Sequence, residues 1–277
     1  MASQRIPTGR VDRAGGAAVA LLAAAFALFF ILPFAGLVVR AAADGEVWSL
    51  VASARARDAL QLSLITSTAT LALTVVFGTP VAYLMARRRF RGHSVVDALI
   101  DLPIVLPPTV AGVALLTAFG RRGLVGEPLE AAFGLTLTFT TVAVVMAQTV
   151  VSAPFYVRAA KSGFDAVDPQ FERVAYTLGA SRVRTFVEVV LPQARPAMLA
   201  GVVLCWARAL GELGATLIFA GSLRGRTQTM PLAILDAFER VDLGLPGAVA
   251  MSLVLLLAAV VVLVLFRRVA RTPGYDR

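Results

Sequence analysis

The chain has 277 residues, of which 58% are hydrophobic and only 16% charged, and a formal net charge of +9. A soluble domain of this length does not carry so much apolar surface, so the composition describes an integral membrane protein. One cysteine, Cys205, and one histidine, His93, exclude an internal disulfide, a multi-cysteine metal cluster and most zinc or haem sites, so neither a metal nor a cofactor is expected.

Residues 1–16 form a polar, basic tail with Arg5, Arg10 and Arg13. The apolar run at 17–39 is too long for a signal-peptide core and suits a bilayer of about 30 Å, so it reads as a retained first span, followed by an outer loop to residue 57. Further apolar runs at 59–86, 96–119, 134–157, 197–221 and 247–266 predict an all-α protein of six transmembrane helices. No soluble domain fits between them, and no clear internal repeat is visible. The main membrane unit spans 58–268, with a long polar loop at 158–195 and a short tail at 269–277.

Arginine placement gives the orientation. With both termini cytoplasmic, the inner segments hold 17 of the 26 basic residues and the outer loops 8, leaving Arg208 inside a span. That asymmetry puts both ends and the 158–195 loop on the cytoplasmic side. The net positive charge then belongs to the inner face, where anionic lipid is the expected contact and nucleic acid is not a partner. Lys161 is the single lysine, and Phe155 stands where a phosphate-cradling Gly-rich loop would need its first glycine. The chain therefore cannot hold ATP in that manner and is not expected to be an ATPase.

The third predicted span opens at Asp101 and contains Pro103, Pro107, Pro108 and Thr109. Prolines so close remove backbone donors and break or kink a helix, and the freed carbonyls at membrane depth must face protein or water. Two readings stand, a bent segment lining a pathway or gate, and a kink fixed by packing. In the fourth span Thr138, Thr140, Thr141, Gln148 and Thr149 could hydrogen-bond to neighbours or line a pore.

The 168–192 stretch is the long polar segment with helical punctuation. Asp168 can cap a helix that starts at Pro169, Phe171, Val174, Ala175 and Leu178 fall on one face, and Gly179 offers a left-handed stop. A second segment is predicted from Ser181 to Leu191-Pro192, before the chain re-enters an apolar run at Pro196. A short amphipathic helix at the water face is built to be gripped by a soluble partner.

Arg208 and Glu212 lie four apart in the fifth predicted span, and each costs about 2.5–3.5 kcal/mol at a bilayer centre, so neither should face lipid. With Gly201, Cys205, Ala215 and Phe219 they make one stripe for the bundle interior, opposite an apolar stripe of Val203, Trp206, Leu210, Leu213 and Leu217. The pair is either a structural ion pair or an anion contact in which Glu212 orients the guanidinium. Gly211, Gly214, Ala215, Thr216, Ala220 and Gly221 allow close helix packing.

The loop resembles the cytoplasmic E-A-A-x3-G-x9-I-x-L-P signature of ABC importer permeases. It matches as Arg173-Val174-Ala175, then Gly179, Val189 and Leu191-Pro192, with Arg173 in place of the Glu, Glu172 one position early, and Val174 and Val189 as substitutes. Leu102 to Gly112, Arg208 to Thr216 and Gly225 to Leu232 look like permeases of the molybdate type, within the group that also moves sulfate, thiosulfate and tungstate. The similarity covers about 58–268. It implies a type I importer fold, a homodimer, two cytoplasmic ATP-binding subunits that hold the ATP, and an extracytoplasmic oxyanion-binding protein. It further implies that ATP-driven closure pulls on Asp168, Pro169, Phe171, Glu172, Arg173, Val174, Ala175, Leu178, Gly179, Leu191 and Pro192. Pro103, Pro107, Pro108, Thr109, Arg208, Glu212, Gly214 and Thr216 are the candidates for the pathway or gate. A gradient-driven secondary transporter or channel, with Arg208 and Glu212 as a relay, is the competing class. A single buried acid argues against it, and no constellation for a membrane enzyme is present.

Overall fold

A computed structural model describes residues 13–270, so most of the predicted tails, 1–16 and 269–277, lies outside the described residues. Among the described residues every regular element is helical. In chain order they are α1 (Arg13–Ala43), α2 (Gly45–Val51), α3 (Ala54–Arg87), α4 (His93–Val105), α5 (Pro108–Phe119), α6 (Gly126–Phe133) and α7 (Thr141–Ala166). There follow α8 (Pro169–Thr177), α9 (Arg182–Thr185), a π-helical turn (Phe186–Val190), α10 (Leu191–Leu210), α11 (Gly214–Ala220), α12 (Met230–Glu239) and α13 (Gly244–Ala270). Five helices are long and apolar enough to cross a bilayer, and a bent pair, α4 with α5, makes a sixth if counted as one span.

The bundle is organised around α7, which packs most extensively on α3 and α10. Helices α3 and α7 run in the same direction. Thr70 donates to the Val145 carbonyl and to Gln148, Thr79 bonds the Tyr156 hydroxyl, and Arg87 reaches the Val167 carbonyl, so both chains advance in step. One apolar core, with Tyr156, Phe164, Val190 and Ala194, lies toward the α8 end. A second, with Val144, Ala147, Ala215 and Phe219, lies toward the far end. Helix α1 leans mainly on α13 and α2, leaving Phe26, Phe29 and Leu32 exposed, a surface suited to hydrocarbon.

Several predicted boundaries move for identifiable reasons. The third span is two helices that meet at 119°, broken at Leu106–Pro107, while Pro103 sits inside α4. Pro107 cannot donate to the helix before it, and Pro108 takes the first position of α5, where a missing N–H is harmless. The fourth span starts at Thr141 instead of 134. Gly134 ends α6 in the left-handed conformation, and Thr140 caps α7 by accepting the Ala143 N–H at 3.2 Å. Residues 135–140 are therefore loop in spite of their apolar character.

The predicted break at Leu191–Pro192 is absent, since helix runs without interruption from Arg182 to Leu210. Pro192 has no N–H and its ring would strike the carbonyl four residues back. The preceding turn widens instead, with the Leu191 N–H bonding the Phe186 carbonyl five residues away. The predicted 158–195 loop therefore begins within α7 and ends within α10, with α8, α9 and the π-helical turn between them.

Candidate functional site

Helix α8 has the predicted ends. Asp168 accepts the Gln170 N–H at 2.8 Å and Pro169 occupies the first turn. At the other end Gly179 has φ +83°, its N–H bonds the Tyr176 carbonyl, and the Ala180 N–H bonds the Ala175 carbonyl, both at 3.0 Å. This pair of bonds is the Schellman stop, which requires a left-handed residue.

The amphipathic face points away from the bundle. Phe171, Val174 and Leu178 are exposed, Leu178 at 81%, and Val183 and Val187 continue the apolar surface beyond α8. Asp168, Pro169 and Arg173 are exposed as well, whereas Ala175 is half-buried. What holds α8 to the protein is its acid. Glu172 is only 8% exposed, lies 2.6 Å from Arg87 Nε, and accepts the Tyr83 hydroxyl at 2.9 Å. Arg87 also donates to the Val167 carbonyl at 3.0 Å, closing a network across the α7–α8 turn. An apolar face turned to water and a charged residue turned inward is the reverse of ordinary helix burial, and it fits a surface meant to be covered by another chain. Leu191 and Pro192 do not join this face. They line an apolar recess of about 360 Å³ with Val75, Tyr156 and Met198.

The second group of candidates converges where α5 crosses α11. Gly214 lies so close to Pro108 and Thr109 that an added Cβ would meet them at 3.2–3.4 Å. Just before α11, Glu212 is 1% exposed. Its Oε1 accepts the Ala215 N–H at 2.9 Å, and its Oε2 forms an ion pair with Arg208 Nη1 at 2.5 Å. The Thr216 hydroxyl is buried with no partner among the described residues. Pro103, inside α4, stands apart from this crossing.

One predicted feature needs correction. Arg208 and Glu212 do not share one continuous helix, because α10 ends at Leu210 and the chain restarts as a helix at Gly214. Glu212 acts as the acceptor that opens α11. Of the opposite apolar stripe, Trp206 and Leu210 are buried as well.

Other partnerships escaped the sequence. Arg158 of α7 is the hub for Asp97 and Asp101 of α4, forming ion pairs with both and bonding the Asp97 carbonyl at 3.1 Å. A polar seam of Thr66, Ser67, Thr70 and Thr74 on α3 faces Gln148 and Ser152 on α7, all buried. The Gln148 amide nitrogen and the Thr74 hydroxyl have no hydrogen-bond partner among the described residues. The period of small hydroxyl residues in α3 was the available signal.

The described residues thus combine helices long and apolar enough to cross a membrane, a bent pair broken at Leu106–Pro107, an ion pair between Arg208 and the buried Glu212 where α10 gives way to α11, and an outward-facing apolar helix tied to the bundle by Glu172. Residues 78–272 match the family model described as binding-protein-dependent transport system inner membrane component, and the chain belongs to that family. It is 43% identical over 255 residues to the Mycobacterium tuberculosis molybdenum transport system permease protein ModB, covering 92% of this chain and 94% of that protein. It is 34% identical over 238 residues to the Escherichia coli sulfate transport system permease protein CysT, covering 85% of each. Its fold resembles that of a bacterial ABC transporter that imports alginate, with a TM-score of 0.74 at 15% identity over 94% of this chain and 96% of the other.

Membership makes the chain a multi-pass inner-membrane permease of an ABC importer, without cofactor or enzymatic activity of its own, and entails ATPase subunits and a periplasmic binding protein as partners. It also decides between the importer and the gradient-driven transporter in favour of the importer.

Proposed function

We propose that this chain is the permease of an ATP-driven molybdate importer, working as a homodimer with two cytoplasmic ATP-binding subunits and a periplasmic oxyanion-binding protein. The observation that carries the mechanism is the geometry of α8. Its apolar face of Phe171, Val174 and Leu178 is presented outward, while Glu172 and Arg87 tie the same helix to the end of α3. A groove on the ATPase that takes the apolar face can move α8 as a handle, and the ion pair passes that movement into a membrane helix. In this reading α8 lies on the cytoplasmic side.

Closure of the ATPases draws the two α8 handles together and rocks the spans from inward-open to outward-open, and hydrolysis resets them. Pro107 and Pro108 let α5 move against α11, and Arg208 presents positive charge to the passing anion while Glu212 orients it. Molybdate is supported by the identity to the molybdenum permeases, which spans most of both chains. Sulfate is the second cargo, favoured by the likeness to CysT, and thiosulfate or tungstate would suit the same charge.

The test is uptake of labelled molybdate and sulfate into proteoliposomes holding this chain, with and without the ATPase subunit, with loaded binding protein outside. Uptake that requires ATPase and ATP and prefers molybdate is expected. Uptake by this chain alone would overturn the mechanism, and a preference for sulfate would reassign the cargo.

A further inference from the structure

At the end of the bundle opposite α8, a cavity of about 350 Å³ is lined by Leu116, Arg121, Thr136, Thr138, Phe139 and Arg226. That volume lies at the small end of the roughly 300–1,000 Å³ typical of small-molecule sites. Three separate segments build it: the end of α5 with the turn after it, the 134–140 loop, and the loop after α11. Its polar groups are two guanidinium ions and two hydroxyls, and no carboxylate is among the lining residues. Arg121 pairs at 3.0 Å with Glu130, which lies outside the lining. Arg226 makes no ion pair among the described residues.

The walls are held in place. Thr141 donates to the Arg226 carbonyl at 2.9 Å and the Arg226 N–H bonds the Leu223 carbonyl at 3.0 Å, so the backbone that carries this guanidinium is fixed on both sides. Phe139 adopts φ +59°, a conformation that bulky side chains rarely take, and its ring lies against Gly221, where a Cβ would approach it to 3.0 Å. Strain kept at one wall of a cationic recess is a mark of a built site. The cavity also sits over the α5–α11 seam. Leu116 is seven residues along α5 from Thr109, about 10 Å at the rise of a helix. The recess therefore lies at the C-terminal ends of the two helices whose N-terminal ends meet at Pro108 and Gly214.

We infer that this recess is an outer anion subsite, where Arg121 and Arg226 with Thr136 and Thr138 receive a tetrahedral oxyanion released by the binding protein before it passes the α5–α11 crossing. Guanidinium groups and hydroxyls together supply the planar and single donors that such an ion accepts. The inference rests on the reading of the chain as an oxyanion permease.

The test uses the complete importer in proteoliposomes, with Arg121→Gln and Arg226→Gln singly and together. Molybdate uptake should fall about tenfold or more in the double variant, as expected when charge-assisted donors to the anion are lost, with binding-protein capture and stimulated ATP hydrolysis preserved. Lysine at both positions should recover much of the uptake. Arg224→Gln, an exposed arginine near Asp58 and outside the recess, should leave uptake unchanged. Unchanged uptake in the double variant would overturn the inference. A parallel loss of capture and stimulation would also overturn it, since the arginines would then dock acidic residues of the binding protein. A wild-type importer that moves no tetrahedral oxyanion would overturn the proposed function with it, whereas the variant results bear on the subsite alone.

Discussion

Arg87 Nε sits 2.6 Å from Glu172 Oε1 across a gap of 85 residues in sequence, joining the last turn of α3 to the first turn of α8. Both side chains are largely buried, and the Tyr83 hydroxyl fills the second carboxylate oxygen at 2.9 Å. Removing one partner of a buried pair leaves the other charged and unsatisfied, which costs about 3–5 kcal/mol. Arg87→Ala should therefore loosen α8 and lower ATP-dependent uptake about tenfold or more, while ATP hydrolysis by the partner subunits continues. The exchange Arg87→Glu with Glu172→Arg should restore part of the transport. Uptake and ATPase assays on the two variants decide this, and full coupling in Arg87→Ala would remove the tether from the mechanism.

Gly179 is tested by conformation alone. Nothing lies within 4 Å of the place where its Cβ would stand, but its φ of +83° is costly for a side chain, by about 1–2 kcal/mol. Gly179→Asp should weaken the stop of α8 and lower uptake with membrane insertion intact. Gly179→Asn, which tolerates the left-handed region better, should retain more activity than Gly179→Leu. Equal uptake in all three would show that the helix stop is not needed.

The ends of α8 were legible because capping chemistry is local: Asp168, Pro169 and Gly179 act on backbone atoms within two or three residues. That the chain carries five to six stretches of membrane-spanning length was legible because bilayer thickness sets a length. The failures have the opposite origin. That Glu172 is buried while Leu178 is exposed depends on Arg87, and that Glu212 opens a new helix depends on the chain breaking at Gly211, which nothing in an i, i+4 spacing reports. Residues 135–140 resemble span in sequence because apolar character says nothing about Thr140 turning its hydroxyl to the Ala143 N–H.

Arg158 holds α4 to α7 through Asp97 and Asp101, which lie four apart on one face of α4. Arg158→Ala would leave two like charges facing each other without the guanidinium that pairs with both, and pairs at this spacing repel by a few tenths of a kcal/mol beyond the lost attraction. Helix α4 should become more open to hydrogen exchange than α3 or α7, and uptake should fall. Adding Asp97→Asn and Asp101→Asn should return part of the protection. Unchanged exchange in the single variant would mean that apolar packing alone holds α4.

Glu212 is almost fully buried, whereas about a quarter of the Arg208 side chain, 28%, remains accessible. That asymmetry fits a guanidinium that faces a passage with its acid behind it, and it determines how the pair must be tested. Arg208→Leu leaves a buried carboxylate uncompensated, a loss of about 3–5 kcal/mol, so weak uptake in that variant could reflect misfolding alone. Glu212→Leu would also remove the acceptor for the Ala215 N–H, a cap contribution of about 0.5–2 kcal/mol. The informative variant is Arg208→Leu with Glu212→Gln, which removes both charges and keeps an oxygen for Ala215. Its thermal stability should return close to that of the unaltered importer. Molybdate uptake should stay low, because the charge facing the anion is gone. Recovery of uptake together with stability would make the pair a structural bolt at the start of α11 and leave the anion to other residues.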